Sequence, residues 1–292
     1  MHANGNKPLI IAHRGASALA PENTLAAFRK AIEDGADGIE FDVRIAKDGV
    51  PVVFHDSTLR RMAKKEGRTS QFTSSELQTL DVGAWFNDRN PARADGKFSG
   101  ETVPTLANLF SFLKGYRGRL YLEMKGSLSE ISALAEVVAK IIRQTDFLPQ
   151  TVLKSFKLEA IEKIKRLLPE ASTAALFAPK ILTLLRRQSR LIECAKECRA
   201  DELSLHYSLA TEKLVRKAGS EGIRTIIWTA DNPMWVRRAA EIGIHAIITN
   251  NPARLLKKRQ EILQKIQVEK SLRTDKNEIS RREHGENFTE IR

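Results

Sequence analysis

The chain has 292 residues, 42% of them hydrophobic, with 48 basic against 36 acidic side chains and a formal charge of +12, a length that suits one large core or two small ones. No run of about 18 apolar residues occurs, which excludes a helical membrane span. The charge invites nucleic acid, but the tail from Lys257 pairs ten basic with seven acidic residues and the basic groups at 180–190, 237–238 and 257–259 lack interleaved aromatics, so anionic phosphate compounds are the expected partners rather than nucleic acid.

The polar start, 1–8, has no apolar signal-peptide core, which predicts a cytoplasmic protein. Short apolar runs then recur at 9–12, 38–43, 50–54, 120–124, 151–153, 173–177, 202–205, 223–228 and 246–249, several rich in Ile and Val, and read as strands. Amphipathic stretches of helical length separate most of them: 24–34, 106–116, 129–145, 158–168, 211–221, 233–242 and 252 onward. This alternation argues for parallel strands with crossover helices, and eight such units in about 250 residues suit a (β/α)8 TIM barrel better than a doubly wound sheet. The turn after the first run, His13-Arg14-Gly15-Ala16-Ser17, lacks the three-glycine spacing of a dinucleotide fold.

The polar segment 57–103 breaks the rhythm and is expected to form a small inserted lobe after the strand carrying His55. The expected organisation is a barrel over 1–256 that includes this lobe, then a helix extension and charged tail over 257–292. Cys194 and Cys198 stand one helical turn apart, a poor disulfide geometry with no histidine nearby to complete a zinc site, and read as reduced thiols. No motif bears on oligomeric state.

Ionisable residues gather where the runs end. Glu40 and Asp42 are two apart on a strand and share a face, so their carboxylates repel unless a cation lies between them. Glu123 and Lys125 repeat that spacing, either as an ion pair or with Glu123 as a third carboxylate. An all-oxygen set of Glu40, Asp42 and Glu123 suits one divalent cation, Mg²⁺ or Ca²⁺ with Mn²⁺ also compatible, over zinc. His13 and His55 follow apolar runs, and two imidazoles can serve as acid and base in phosphoryl transfer. Arg14 and Lys125 offer positive charge to phosphate oxygens. Thr24 in Pro21-Glu22-Asn23-Thr24 reads as a helix cap. His206 ends the 202–205 run and is a pocket candidate, whereas His245 precedes the last run, at the opposite strand end, and reads as structural.

Taken in order, Ala12-His13-Arg14-Gly15, Pro21-Glu22-Asn23-Thr24, Gly38-x-Glu40-x-Asp42-Val43, Val53-x-His55-Asp56-x-Thr58-Leu59, Val103-Pro104-Thr105-Leu106, Leu122-Glu123-Met124-Lys125, Ser155-Phe156, Ile227-Trp228-Thr229 and Thr249-Asn250-Asn251-Pro252 resemble the glycerophosphodiester phosphodiesterase family over nearly all of the first 256 residues. The resemblance implies hydrolysis of glycerophosphodiesters to glycerol 3-phosphate and an alcohol, with a divalent metal on Glu40, Asp42 and Glu123 and acid-base chemistry by His13 and His55. It further implies phosphate contacts from Arg14 and Lys125, supporting positions for Glu22 and Asn23, and a glycerol pocket shaped by Phe156 and Trp228. The nucleophile is water or the neighbouring glycerol hydroxyl. The alternative within the same chemistry is a lysophospholipase D acting on lysophospholipids. The sequence departs from the pattern at His245, where relatives resemble Asp-Ala-Ile-Ile-Thr.

Overall fold

The computed structural model describes residues 7–181, 189–265 and 267. Its strands are β1 (Leu9–His13), β2 (Gly38–Ile45), β3 (Pro51–Val53), β4 (Arg119–Met124), β5 (Thr151–Ser155), β6 (Ser172–Phe177), β7 (Glu202–His206), β8 (Arg224–Trp228) and β9 (Ala246–Thr249). All but β3 are parallel staves, and β1 pairs with both β2 and β9, which closes the sheet into an eight-stranded barrel. Side chains alternate across each stave, so one set fills the barrel and the other meets the helices. Ile11, Tyr121, Val152, Ala174, Ile226 and Ile248 pack inside. Phe41, Leu122 and Leu153 face outward onto helical residues such as Phe28, Leu134 and Ile161.

The 50–54 run departs from the expected parallel strand. Only residues 46–50 separate β2 from β3, far too few for a crossover helix, and β3 returns antiparallel with Val43 opposite Val53 and Ile45 opposite Pro51. Gly49, at φ +78°, takes the left-handed turn. The return carries the chain back to the mouth, where the Phe54 amide donates to Asp42 O at 3.0 Å. His55 therefore reaches the same end as the parallel strand tips by coming down from above it.

Residues 57–103 form short helices and 3-10 turns, among them Arg60–Ala63, Ser74–Leu77 and Ala84–Arg89. Their apolar side chains, including Leu59, Met62, Leu77, Trp85 and Phe86, join Val52 and Phe54 in a cluster of their own beside the barrel. Threonine and serine caps set where the main helices begin. Thr24 accepts from Ala27 N, Thr105 from Asn108 N, Ser127 from Glu130 N and Thr211 from Leu214 N, each contributing about 1 kcal/mol.

The final helical run, 252–265, packs through Leu255 and Leu256, and Arg259 pairs with Asp37 and donates to Pro8 O. Cys194 is half-buried and Cys198 buried, and both are free thiols. Among the described residues no helix is long and apolar enough to cross a membrane.

Candidate active site

Register brings the acidic residues together. At the C-terminal ends of β1, β2, β4 and β5, His13 stands opposite Glu40, Asp42 opposite Glu123, and Glu123 opposite Lys154. Glu40, Asp42 and Glu123 are all buried and offer oxygens within 4.8 Å of one another. At that separation each pair repels by roughly 3 kcal/mol even with generous protein screening, so the trio requires cations. Lys125 Nζ lies 3.3 Å from Asp42 and pairs with Glu123, Arg14 Nε is 3.0 Å from Asp42 Oδ2, and Lys154 Nζ is 2.7 Å from Glu40 Oε1 and 3.4 Å from Glu123 Oε2.

Burial disfavours the ionised form of Asp42, but Lys125 and Arg14 outweigh it and hold the carboxyl well below its ordinary range. The same opposition, with Lys125 and Lys154 prevailing over burial, lowers the pKa of Glu123. Three carboxylates make a hard-oxygen donor set that fits a divalent cation such as Mg²⁺, Ca²⁺ or Mn²⁺. Asp42 Oδ1 strengthens the fit, since it is buried and faces the Lys125 ammonium at 3.3 Å without a hydrogen bond.

A left-handed turn aims the first-strand arginine. Arg14 has φ +56° and Gly15 φ +80°, and a Cβ at Gly15 would come within 2.5 Å of the Ala27 carbonyl carbon, so the turn can sit this close to the helix only with glycine. The Arg14 amide donates to Glu40 Oε2 at 3.1 Å, and Nη1 donates to Glu22 at 2.8 Å. Asn23, also left-handed at φ +59° and fully buried, donates from Nδ2 to Asp42 Oδ2 at 2.9 Å and accepts from the Asp42 amide at 3.2 Å. Glu22 and Asn23 thus support Arg14 and Asp42, while Thr24 caps the helix.

The two histidines are held by different parts of the fold. His55 Nδ1 lies 2.6 Å from Asp56 Oδ1, and Arg61, from the inserted lobe, donates from Nε to Asp56 Oδ2 at 2.6 Å and from Nη1 and Nη2 to Glu22 at 3.0 and 2.6 Å. His13 Nδ1 lies 2.7 Å from Asn250 Oδ1. Asn250 Nδ2 donates to Asp231 Oδ2 at 2.8 Å, and Asp231 Oδ1 accepts from Asn250 N and Thr249 Oγ1. A carboxylate only accepts, so Asp231 requires the amide nitrogen of Asn250 and leaves the oxygen for His13. The imidazole therefore carries its proton on Nδ1 and presents a bare Nε2, 3.9 Å from Glu40 Oε2. Burial lowers the His13 pKa, against the opposing pull of Glu40.

Aromatic rings form one wall of the mouth. Phe156, exposed, packs edge-on against Trp228 at 5.5 Å between centroids, with Lys125 Nζ 5.8 Å from the Phe156 centroid. His206 meets Trp228 at 5.4 Å and bonds Ser208 Oγ, so it extends this wall and stands apart from the carboxylates. His245 lies at the opposite end of the barrel, where its amide donates to Thr225 O.

The nine residues expected to form a site, His13, Arg14, Glu40, Asp42, His55, Glu123, Lys125, Phe156 and Trp228, are thus grouped at one mouth. Sequence reasoning did not single out Lys154, Arg61, Asp231 or the role of Asn250. The available signal for Lys154 was strand alternation, which places it on the inward face with Val152.

A model of the glycerophosphoryl diester phosphodiesterase family matches residues 13–254. The chain belongs to this family. As a member it is a phosphoric diester hydrolase, and the family depends on a divalent metal. The glycerophosphodiester phosphodiesterase of Caldanaerobacter subterraneus subsp. tengcongensis is 33% identical over 253 residues, covering 86% of this chain and 97% of that one. A phosphodiesterase from Oleispira antarctica, solved with its product sn-glycerol-3-phosphate, superposes with a TM-score of 0.75 at 26% identity, over 86% of this chain and 96% of that one. A glycerophosphodiester phosphodiesterase from Agrobacterium tumefaciens gives 0.70 at 28% identity, over 85% of this chain and 98% of that one.

Proposed function

We propose that this chain hydrolyses small glycerophosphodiesters to glycerol 3-phosphate and an alcohol, with Glu40, Asp42 and Glu123 as ligands of one divalent cation. The observation that carries the reading is the buried acidic trio at a mouth that also holds two anchored imidazoles, His13 and His55. The product bound by the Oleispira antarctica relative supports the glycerol 3-phosphate end of the reaction. When bound, the cation supplies Lewis-acid stabilisation of phosphate charge.

The chain's own groups do the rest. Arg14 and Lys125, partly exposed at the mouth, share their charge with the docking phosphate. Phe156 and Trp228 present ring faces and edges against the glycerol carbons. His13, with Nε2 bare, takes the proton of the attacking water, or of the neighbouring glycerol hydroxyl with water then opening the cyclic phosphate, and His55, held by Asp56, gives a proton to the departing alkoxide. Residues 1–256 hold the catalytic unit in this reading; of the helix extension and charged tail expected over 257–292, only 257–265 and 267 are among the described residues, and the rest lies outside them.

The test is coupled release of glycerol 3-phosphate from several glycerophosphodiesters, with chelator and then with Mg²⁺, Ca²⁺ or Mn²⁺ restored. Activity should vanish with chelator and return with metal, and H13A or H55A should lose orders of magnitude in turnover while folding normally. Chelator-insensitive hydrolysis contradicts the ligand assignment. Faster choline release from lysophosphatidylcholine than from glycerophosphocholine moves the substrate to lysophospholipids.

A further inference from the structure

Lys154 differs from the other cations at the trio. Its side chain is only 2% exposed and approaches Glu40 and Glu123 from the barrel interior, whereas Arg14 and Lys125 reach the mouth and can turn toward a docked phosphate. The three carboxylates in direct contact with Arg14, Lys125 and Lys154 sum to zero formal charge before any ion arrives. A trio lacking Lys154 would carry one net negative charge and draw a divalent ion in. With Lys154 fixed beneath it, an entering ion meets a neutral cluster and a permanent like charge.

We propose that Lys154 is a built-in counter-cation, a positioning residue that clamps Glu40 to Glu123 and loosens the trio's hold on a divalent ion, so that ion and phosphate bind together better than the ion alone. The proposal rests on the reading of the trio as metal ligands. An arriving phosphate adds negative charge and draws Arg14 and Lys125 away from Asp42 and Glu123, which frees ligand oxygens. The coupling is reciprocal, since whatever phosphate does for the ion the ion does for phosphate. Lys154 supplies the deficit that makes this coupling large.

The experiment is calorimetric titration of the full chain and of K154M with Mn²⁺, with and without glycerol 3-phosphate, beside melting curves in chelator. Without phosphate, K154M should bind Mn²⁺ about tenfold tighter or more, which is what Coulomb's law gives for removal of one positive charge near the ion even at water-like screening. Glycerol 3-phosphate should tighten Mn²⁺ binding more in the parent than in K154M. K154M should also melt lower in chelator and gain more from the metal. Equal or weaker Mn²⁺ binding by K154M overturns the proposal while leaving the trio as the metal site, and failure of both proteins to bind Mn²⁺ removes the metal reading and this one with it. Should K154M not fold, the charge-matched E40Q/K154M decides: a folded double variant supports the clamp, and its collapse overturns it.

Discussion

Replacing Asn250 by Leu tests the proton assignment most directly. The change keeps the branched shape and removes the oxygen that accepts from His13 Nδ1 at 2.7 Å and from Ser17 Oγ at 2.9 Å, together with the nitrogen that donates to Asp231. His13 would keep a largely buried N–H with no acceptor, which costs about 1–3 kcal/mol of stability. The larger effect is on turnover. Once Nδ1 is no longer tied, the proton distributes between both ring nitrogens and the ring loses its orientation, so kcat should fall by ~10²–10⁴, the span ordinarily contributed by general acid-base catalysis. KM should change far less, because Asn250 bonds the imidazole and not the phosphate cations.

The exchange N250D/D231N supplies the control. Asp231 Oδ1 accepts from Thr249 Oγ1 and the Asn250 amide, and only Oδ2 faces Asn250 Nδ2. In the exchanged pair an amide oxygen keeps the first two bonds, an amide nitrogen donates where Oδ2 accepted, and a carboxylate accepts from His13. The double variant should recover most of the turnover that N250L loses, measured by coupled glycerol 3-phosphate release with melting curves alongside. The reasoning is refuted if N250L keeps kcat within about tenfold of the parent, or if the exchanged pair does no better than N250L.

Two further outcomes follow from the charges around the mouth. R61A removes the guanidinium bridging Glu22 and Asp56 and, discounted for its partial exposure, should cost about 2 kcal/mol in denaturant melts; R61K should not restore the loss, because one ammonium cannot serve both carboxylates as a planar fork does. The acid limb of kcat/KM should lie below the ordinary histidine value of 6.5, because burial lowers the His13 pKa and a neutral base persists until pH falls through that lowered value; an acid limb above 6.5 that vanishes in H13A would contradict the environment described for this ring.

Much of the site was legible because a strand displays its chemistry with period two. Glu40 with Asp42, and Glu123 with Lys125, announce a shared face without any knowledge of partners, and the recurrence of such runs between helical stretches announces the barrel. Lys154 was not legible in the same way, since a lysine after Thr151-Val152-Leu153 reads equally as a strand ending in solvent. Alternation puts it on the face of Val152, but it takes the register of β5 against β4 to set it opposite Glu123. The direction of β3 could have been inferred from the five residues between it and β2, which are too few to cross over. The contact of His13 with Asn250 spans 237 positions, and nothing local to either residue points to the other.

That long-range contact depends on barrel closure. Because β1 pairs with β9, the last strand delivers Asn250 to the end of the first, and the neighbouring β8 loop delivers Asp231. His13 is therefore set by the most global feature of the fold, whereas His55 is set by Asp56 and by Arg61 from a lobe with its own small core. The lobe is tied to His55 through Arg61 and Asp56 and to Arg14 through Arg61 and Glu22, whereas His13 takes its support from Asn250, in the barrel. The two halves of the proposed acid-base pair thus answer to separate packing units. The side able to yield when an alcohol of different size must leave is the one placed to protonate it.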